Sequence, residues 1–275
     1  MDQTGFAKSI ERTEPMNNLG SPLQIFIRNT SSMVLREMRS KFGEQKLSYV
    51  WALVEPLGWI LMMSTIFLAM GSHVPPVGDS FVMFFSTGLV PFSAFKDTGN
   101  VVRNAVKQNK PLLFFPIIKP IDAFVSRAVL ETLTQITVFA IIVGTHSFVY
   151  GSIPRADWIN VIIPFALLAI MGFNVGILNC VITAHFHAWE QIWGIISRPL
   201  FILSGIFFVA DTLPPEARYV LSWNPMMHCI EWLRSGFFPE FHSTVVDVGY
   251  VLSFTFGGLF LALVLERVFR NKILE

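Results

Sequence analysis

Four side chains between residues 228 and 235 come closest to a reactive constellation. His228, Glu231 and Arg234 recur at intervals of three, and Ser235 follows Glu231 by one turn. On a helix that spacing lines them along one slowly spiralling face. A base, an acid, a cation and a hydroxyl on one face are the ingredients of acid–base chemistry. No GxSxG or HExxH occurs in the chain, so serine-hydrolase and zincin readings lack their usual anchors. Pairing of Glu231 with Arg234, or a gating role, is the simpler use of the same residues. His185, His187 and Glu190 are the nearest approach to a metal cluster. His-x-His chelates from a strand but points its rings apart on a helix, so these read as polar residues at a turn and no metal is expected. Cys180 and Cys229 form neither a CxxC pair nor a disulfide framework. Their apolar neighbours mark them as small buried side chains. The sequence contains no GxxxxGK[ST] and no Gly-Lys dipeptide, so no phosphate-cradling loop is expected within it.

The elements that position these residues follow from an apolar composition. Of 275 residues, 53% are hydrophobic and 14% charged, with 27 Phe and 7 Trp, and mean hydropathy is +0.56. Soluble domains carry roughly a quarter charged residues, and disorder needs low hydrophobicity with high net charge. An all-α polytopic membrane protein is expected. A bilayer core about 30 Å thick asks for about 20 apolar residues per helix. Six stretches qualify: Tyr49–Met70, Phe81–Val102, Ile121–Val143, Trp158–Ala184, Gln191–Ala210 and Val245–Leu265. The first 48 residues are polar, hold no signal-peptide core, and place the mature start near Met1.

Charge placement orients these spans. With the N-terminus cytoplasmic, all but Arg155, Arg218 and Arg234 of the 20 Lys and Arg residues fall in or beside inward-facing segments. The positive-inside rule then puts both termini in the cytoplasm and requires an even number of crossings. Three organisational units result: a tail over 1–22, an interfacial helix over 23–48, and a six-span domain over 49–275. In the interfacial helix, Ile27, Val34, Leu35, Met38 and Phe42 recur every three to four residues, with Arg28, Arg36, Arg39 and Lys41 between them. That pattern suits a helix lying in the inner headgroup layer. Glu55, just before Pro56, is placed to accept from Arg36 or Arg39 and pin this helix. Arg127 and Glu131, four apart, read as an ion pair. Between the last two spans, Asn224-Pro225 signals a helix start and Pro214-Pro215 with Glu216 an earlier one. Two short re-entrant helices in the outer leaflet account for that region. Trp59, Trp158, Trp189, Trp193, Trp223 and Trp232 lie mostly near span ends, as an interfacial belt, with sugar stacking the minority alternative.

Three stretches resemble one family. Arg36-Glu-Met-Arg-Ser-Lys-Phe-Gly through Leu47-Ser-Tyr-Val-Trp-Ala-Leu-Val-Glu-Pro56 is similar to the entry of ABC-2-type polysaccharide-export permeases. Asn109-Lys-Pro-Leu-Leu-Phe-Phe-Pro116 resembles their cytoplasmic loop, and Asn224-Pro-Met-Met-His-Cys-Ile-Glu-Trp-Leu-Arg234 their outer hairpin. The resemblance runs from about Leu23 to the C-terminus and is strongest to capsular polysaccharide permeases of Gram-negative bacteria. It implies a half-transporter of the inner membrane: two copies around a conduit, driven by two cytoplasmic ATPases that hold the ATP and Mg. Lys107, Asn109, Lys110, Pro111, Phe115 and Pro116 would form the ATPase-coupling loop. Arg36, Arg39 and Glu55 would shape the entry for a glycolipid-anchored polysaccharide, and His228, Glu231 and Arg234 would gate the periplasmic exit. A periplasmic co-polymerase and an outer-membrane export protein are implied as further partners, and nucleic acid is not. Export of O-antigen or teichoic acid is the near alternative. A membrane-embedded hydrolase or transferase using His228, Glu231 and Ser235 is the alternative from another class, and a neighbouring coding sequence with GxxxxGK[ST] separates the two.

Overall fold

The computed structural model describes residues 21–43, 48–113, 117–151 and 155–274. Among these, all regular structure is helical: α1 (Pro22–Gly43), α2 (Ser48–Ala69), α3 (Phe81–Arg103), α4 (Ala105–Asn109), α5 (Pro120–Tyr150), α6 (Trp158–His185), α7 (Trp189–Leu203), a 3-10 turn (Ala210–Thr212), α8 (Pro215–Leu221), α9 (Pro225–Phe237) and α10 (Val248–Leu274). Local chemistry sets the starts. Pro120 opens α5 while the Lys119 amide donates to Asp122 Oδ2 at 2.9 Å. Asp157 caps α6 by accepting from the Ile159 amide, and Asn224 caps α9 by accepting from the Met226 amide, in the manner preferred for short polar side chains. Gly151 ends α5 in the left-handed conformation at φ 65°.

Four stretches are long and apolar enough to cross a bilayer: Val50–Ala69, α5, α6 and α10. The other two expected spans differ. Helix α3 is long enough but carries Lys96, Asp97 and Arg103. The fifth expected span, Gln191–Ala210, is not one helix: α7 stops at Leu203 after 15 residues, about 22 Å of helix. The chain unwinds because Gly205 takes φ 78° and its neighbouring carbonyls are bound by a side chain from α9, described below.

Helices α3 and α6 form the centre. Gly172 of α6 lies so close to α3 that a Cβ there would sit 2.2 Å from the Phe95 carbonyl oxygen, and one on Gly176 would meet Val102 at 2.6 Å. This backbone approach is what small residues permit in membrane bundles. Helices α5, α9 and α10 pack around the pair. One apolar cluster surrounds Phe84, Phe92, Leu168 and Ile230. A second, at the other end of α3, surrounds Val102, Phe124, Ile177 and Met33 of α1. Helices α2, α7 and α10 turn large apolar side chains outward, among them Trp51, Ile195 and Phe260, as lipid-facing surfaces do. Both cysteines are free and buried.

Candidate functional site

Two polar assemblies stand at opposite ends of α3. The one that the charge asymmetry would place on the cytoplasmic side, hence the inner one, joins α1, α4 and α5. Helix α1 buries Met33 and Glu37 and leaves Leu23, Ile27, Leu35 and Met38 exposed. Its packed face lies on α5, so Glu37 meets Arg127, its Oε2 accepting from Nη2 at 2.8 Å. Arg36 Nη2 donates to Glu37 Oε1 at 3.2 Å and to Asn109 Oδ1. Asn109 is fully buried, and its Nδ2 donates to the Ala105 carbonyl at 3.0 Å. Asn29 of α1 donates to the Ile117 carbonyl at 3.1 Å, gripping the far end of the same loop. Lys107, Lys110 and Pro111 remain exposed. Phe115 and Pro116 lie outside the described residues.

This geometry revises one expected pair and adds a partner to another. Among the described residues no ion pair reaches Glu55, which is exposed on α2; Arg36 is engaged by Glu37 and Asn109, and Arg39 is exposed. The reason is that α1 lays its polar seam on α5 and α4. Arg127 gains an inter-helix partner, its 2.8 Å ion pair crossing to Glu37, and Glu131 also accepts from Gln135 at 3.2 Å within its own helix. Gln135 also donates to Asp97 at 3.3 Å. Glu190 binds Arg103 at 3.1 Å, tying α7 to the end of α3, and His185 Nδ1 contacts the Val181 carbonyl at 2.9 Å. His185 and Glu190 are thus spent on structural contacts.

The outer assembly centres on Arg234, which is fully buried together with Glu231. Arg234 Nη1 donates to the carbonyls of Gly205 and Phe208 at 2.6 and 2.9 Å, and Nη2 to that of Ile206 at 2.9 Å. The guanidinium lies 4.2 Å from the Phe84 ring centroid, a cation–π placement. Glu231 Oε1 accepts from the Ala210 amide at 3.2 Å and sits 3.8 Å from Arg234. These two side chains therefore replace the helical partners that residues 204–210 lose by unwinding, as buried backbone groups require. Gly88 leaves room for this: a Cβ there would lie 2.9 Å from Arg234 Nη2. His228 accepts the Asp247 amide at Nδ1, 3.1 Å away, which leaves Nε2 as the donor to the Ser222 carbonyl at 2.7 Å. Ser235 Oγ donates to the Glu231 carbonyl and accepts from the Ser243 amide. His228, Glu231 and Ser235 each serve a backbone group, which disfavours a hydrolytic site.

Sequence reasoning passed over Glu37. Its signal was position: it follows Met33 by four on a helix whose other charges are mostly basic, and so shares the buried face. It also passed over the polar chain from Trp232 Nε1 to Asn160 Oδ1, and from Asn160 Nδ2 to Asp157 Oδ2, each bond 2.8 Å.

The family model described as "ABC-2 type transporter" matches residues 28–238. The polysialic acid transport protein KpsM of Escherichia coli is 30% identical over 244 residues, covering 88% of this chain and 94% of KpsM. The capsule polysaccharide export inner-membrane protein BexB of Haemophilus influenzae is 26% identical over 88% of this chain and 91% of its own. CtrC of Neisseria meningitidis, with the same description, is 25% identical over 80% and 83%.

Proposed function

This chain belongs to the ABC-2 type transporter family, and from that premise we propose that it is the permease subunit exporting a lipid-linked capsular polysaccharide across the bacterial inner membrane. Membership makes it a transporter's membrane subunit, with ATP hydrolysed by a separate partner. The observation that carries the capsular reading is coverage: relatives named for polysialic acid transport and capsule polysaccharide export match four fifths or more of both chains.

In this reading α3 and α7 complete six crossings, with both termini cytoplasmic, and a second copy packs against outward apolar faces. Lys107, Lys110 and Pro111 offer an exposed knob to the ATPase, with Phe115 and Pro116 following in sequence. Asn109 acts from behind the knob, since its bond to Arg36 anchors the loop to α1. Arg39, with the exposed edge of Arg36 and Glu55, borders the inner-leaflet entry for a glycolipid. His228, Glu231 and Arg234 set the outer gate by fixing the backbone of residues 204–210 and the ends of α8 and α10. Two ATPase subunits with ATP and Mg, a periplasmic co-polymerase and an outer-membrane export protein complete the assembly.

The test is deletion and complementation in the source strain, read as surface polysaccharide, with K107E/K110E as the second arm. Wild-type chain restores surface polymer. The double variant reaches the membrane at normal level but uncouples ATP hydrolysis from export in the purified complex. Surface glycan unchanged by deletion refutes the export reading, and unchanged coupling in the variant refutes the knob.

A further inference from the structure

A cleft of about 360 Å³ opens where the start of α6 meets the end of α9, lined by Arg155, Asp157, Asn160, Trp232, Ser235 and His242. Its volume falls in the roughly 300–1,000 Å³ range of small-molecule sites. By the charge asymmetry that orients the chain it faces outward. The floor is rigid. The Asp157 amide donates to the Gly236 carbonyl at 2.8 Å, and a Cβ on Gly236 would lie 2.7 Å from the Asn160 backbone. The Trp232 ring is held at its edge by Asn160, and Asn160 by Asp157. Asp157 is occupied further by the Ile159 amide at the α6 N-terminus, where the helix dipole offsets its charge. Ser235 is engaged on both sides.

Unused capacity therefore sits at the rim. Arg155 and His242 are exposed, and neither makes a hydrogen bond or ion pair to another described residue. A guanidinium fork matches a carboxylate in two parallel bonds. An indole of fixed plane offers an apolar wall to a sugar ring, and Asp157 with Asn160 can meet hydroxyls. We infer that this cleft is a subsite for a carboxylate-bearing sugar residue, Arg155 taking the carboxylate and Trp232 flanking the ring. The inference rests on the glycan-export reading and adds to it a contact on the outer side, where the cleft engages one acidic residue of the polymer at a time.

The experiment uses the full chain in lipid nanodiscs and calorimetric titration with a glucuronate-containing tetrasaccharide. Controls are the same tetrasaccharide with its carboxylates reduced to alcohols, and inorganic phosphate. The acidic tetrasaccharide binds, and its reduced form binds at least about ten-fold more weakly. R155Q, which removes an exposed side chain and leaves the floor intact, costs a similar factor, about 1.4 kcal/mol; R155K retains part of it. Absence of binding, equal binding of the reduced sugar, unchanged binding in R155Q, or phosphate competing at equal concentration each overturns the assignment. Complementation of surface polysaccharide by wild-type chain is scored in parallel. Restored export with no binding overturns the subsite alone, whereas binding with surface glycan indifferent to deletion overturns the export reading alone.

Discussion

Replacing Arg234 by Met is the sharpest perturbation of the fold. The side chain is fully buried, donates to three carbonyls at 2.6–2.9 Å and stands 3.8 Å from Glu231. Methionine fills much of the volume and supplies none of the bonds. Inter-helix hydrogen bonds in membrane proteins average about 0.6 kcal/mol and reach about 1.7, so three of them amount to roughly 2–5 kcal/mol. Removing one partner of a buried ion pair costs about 3–5 kcal/mol, because the other charge is stranded. The two routes agree near 3–5 kcal/mol. At about 2–4 °C per kcal/mol for a domain of this size, the unfolding midpoint in detergent should fall by roughly 6–20 °C. Part of that loss belongs to the stranded Glu231, so E231Q added to R234M recovers about 1–2 kcal/mol. E231Q in the wild-type background destabilises, since Glu231 there has both Arg234 and the Ala210 amide. A midpoint within about 3 °C of wild type for R234M, or strictly additive effects of the two changes, refutes the claim that this pair holds residues 204–210 in their unwound path.

Two further predictions concern the inner assembly and the central helix pair. E37Q keeps the shape of the side chain but removes the charge that Arg127 and Arg36 share. Amide exchange should rise across residues 22–43 and stay unchanged across 158–185, and equal protection of α1 in both proteins contradicts its docking through Glu37. G172A forces a methyl to within 2.2 Å of the Phe95 oxygen and should cost about 1–3 kcal/mol by overpacking. G194A in α7 meets nothing within 4 Å and should be neutral or stabilising by about 0.5–1 kcal/mol. Matching midpoints for the two alanine variants would remove the close-packing argument.

Periodicity and caps made most elements legible. Of the local signals that bound α5, α6 and α9, only Asn224-Pro225 is read from the sequence; Gly151 at positive φ, Asp157 as a cap and Pro120 at a first helical position are further signals of the same kind that the structure brings out. The break in the fifth expected span escaped the sequence because it has only a weak local mark. Ser204-Gly205 sits in an apolar run that a hydropathy window cannot tell from helix. What stabilises the break is Arg234, nearly thirty residues on, and a partner at that distance has no periodic signature. The ion pairs of α1 escaped for a related reason. Spacing of four proposes Arg127 with Glu131, whereas the second carboxylate that meets Arg127 comes from Glu37 and depends on how α1 rolls onto α5, a tertiary choice. Asn109, expected in the cytoplasmic loop, ends helix α4. Its inward direction follows from the Arg36 bond, which sequence spacing does not contain.

Helix α3 connects the two assemblies physically. Its last turn runs through Asn104 into α4, whose Asn109 is bound by Arg36. Near its first turns, Phe84 lies against the Arg234 guanidinium and Gly88 against Ile206 of the unwound segment. Most of α3 between these points is buried, and a helix so tightly packed transmits displacement with little internal give. On the proposed coupling role, motion imposed on Lys107 should therefore arrive at residues 204–208, past roughly 22 Å of helix between Arg103 and Gly88 at 1.5 Å per residue. Spatial continuity becomes coupling only through a measured interaction energy, and sites so far apart ordinarily add within about 0.3–0.5 kcal/mol. A cycle of K107E, G88A and the double variant supplies that measurement, with the export-to-ATP ratio as readout. If α3 is the transmitting element, the double variant loses little beyond the worse single one, and the cycle departs from additivity by more than about 0.5 kcal/mol. Strict additivity means that the two ends of α3 act independently, and the proposed outer gate must then be driven by another helix.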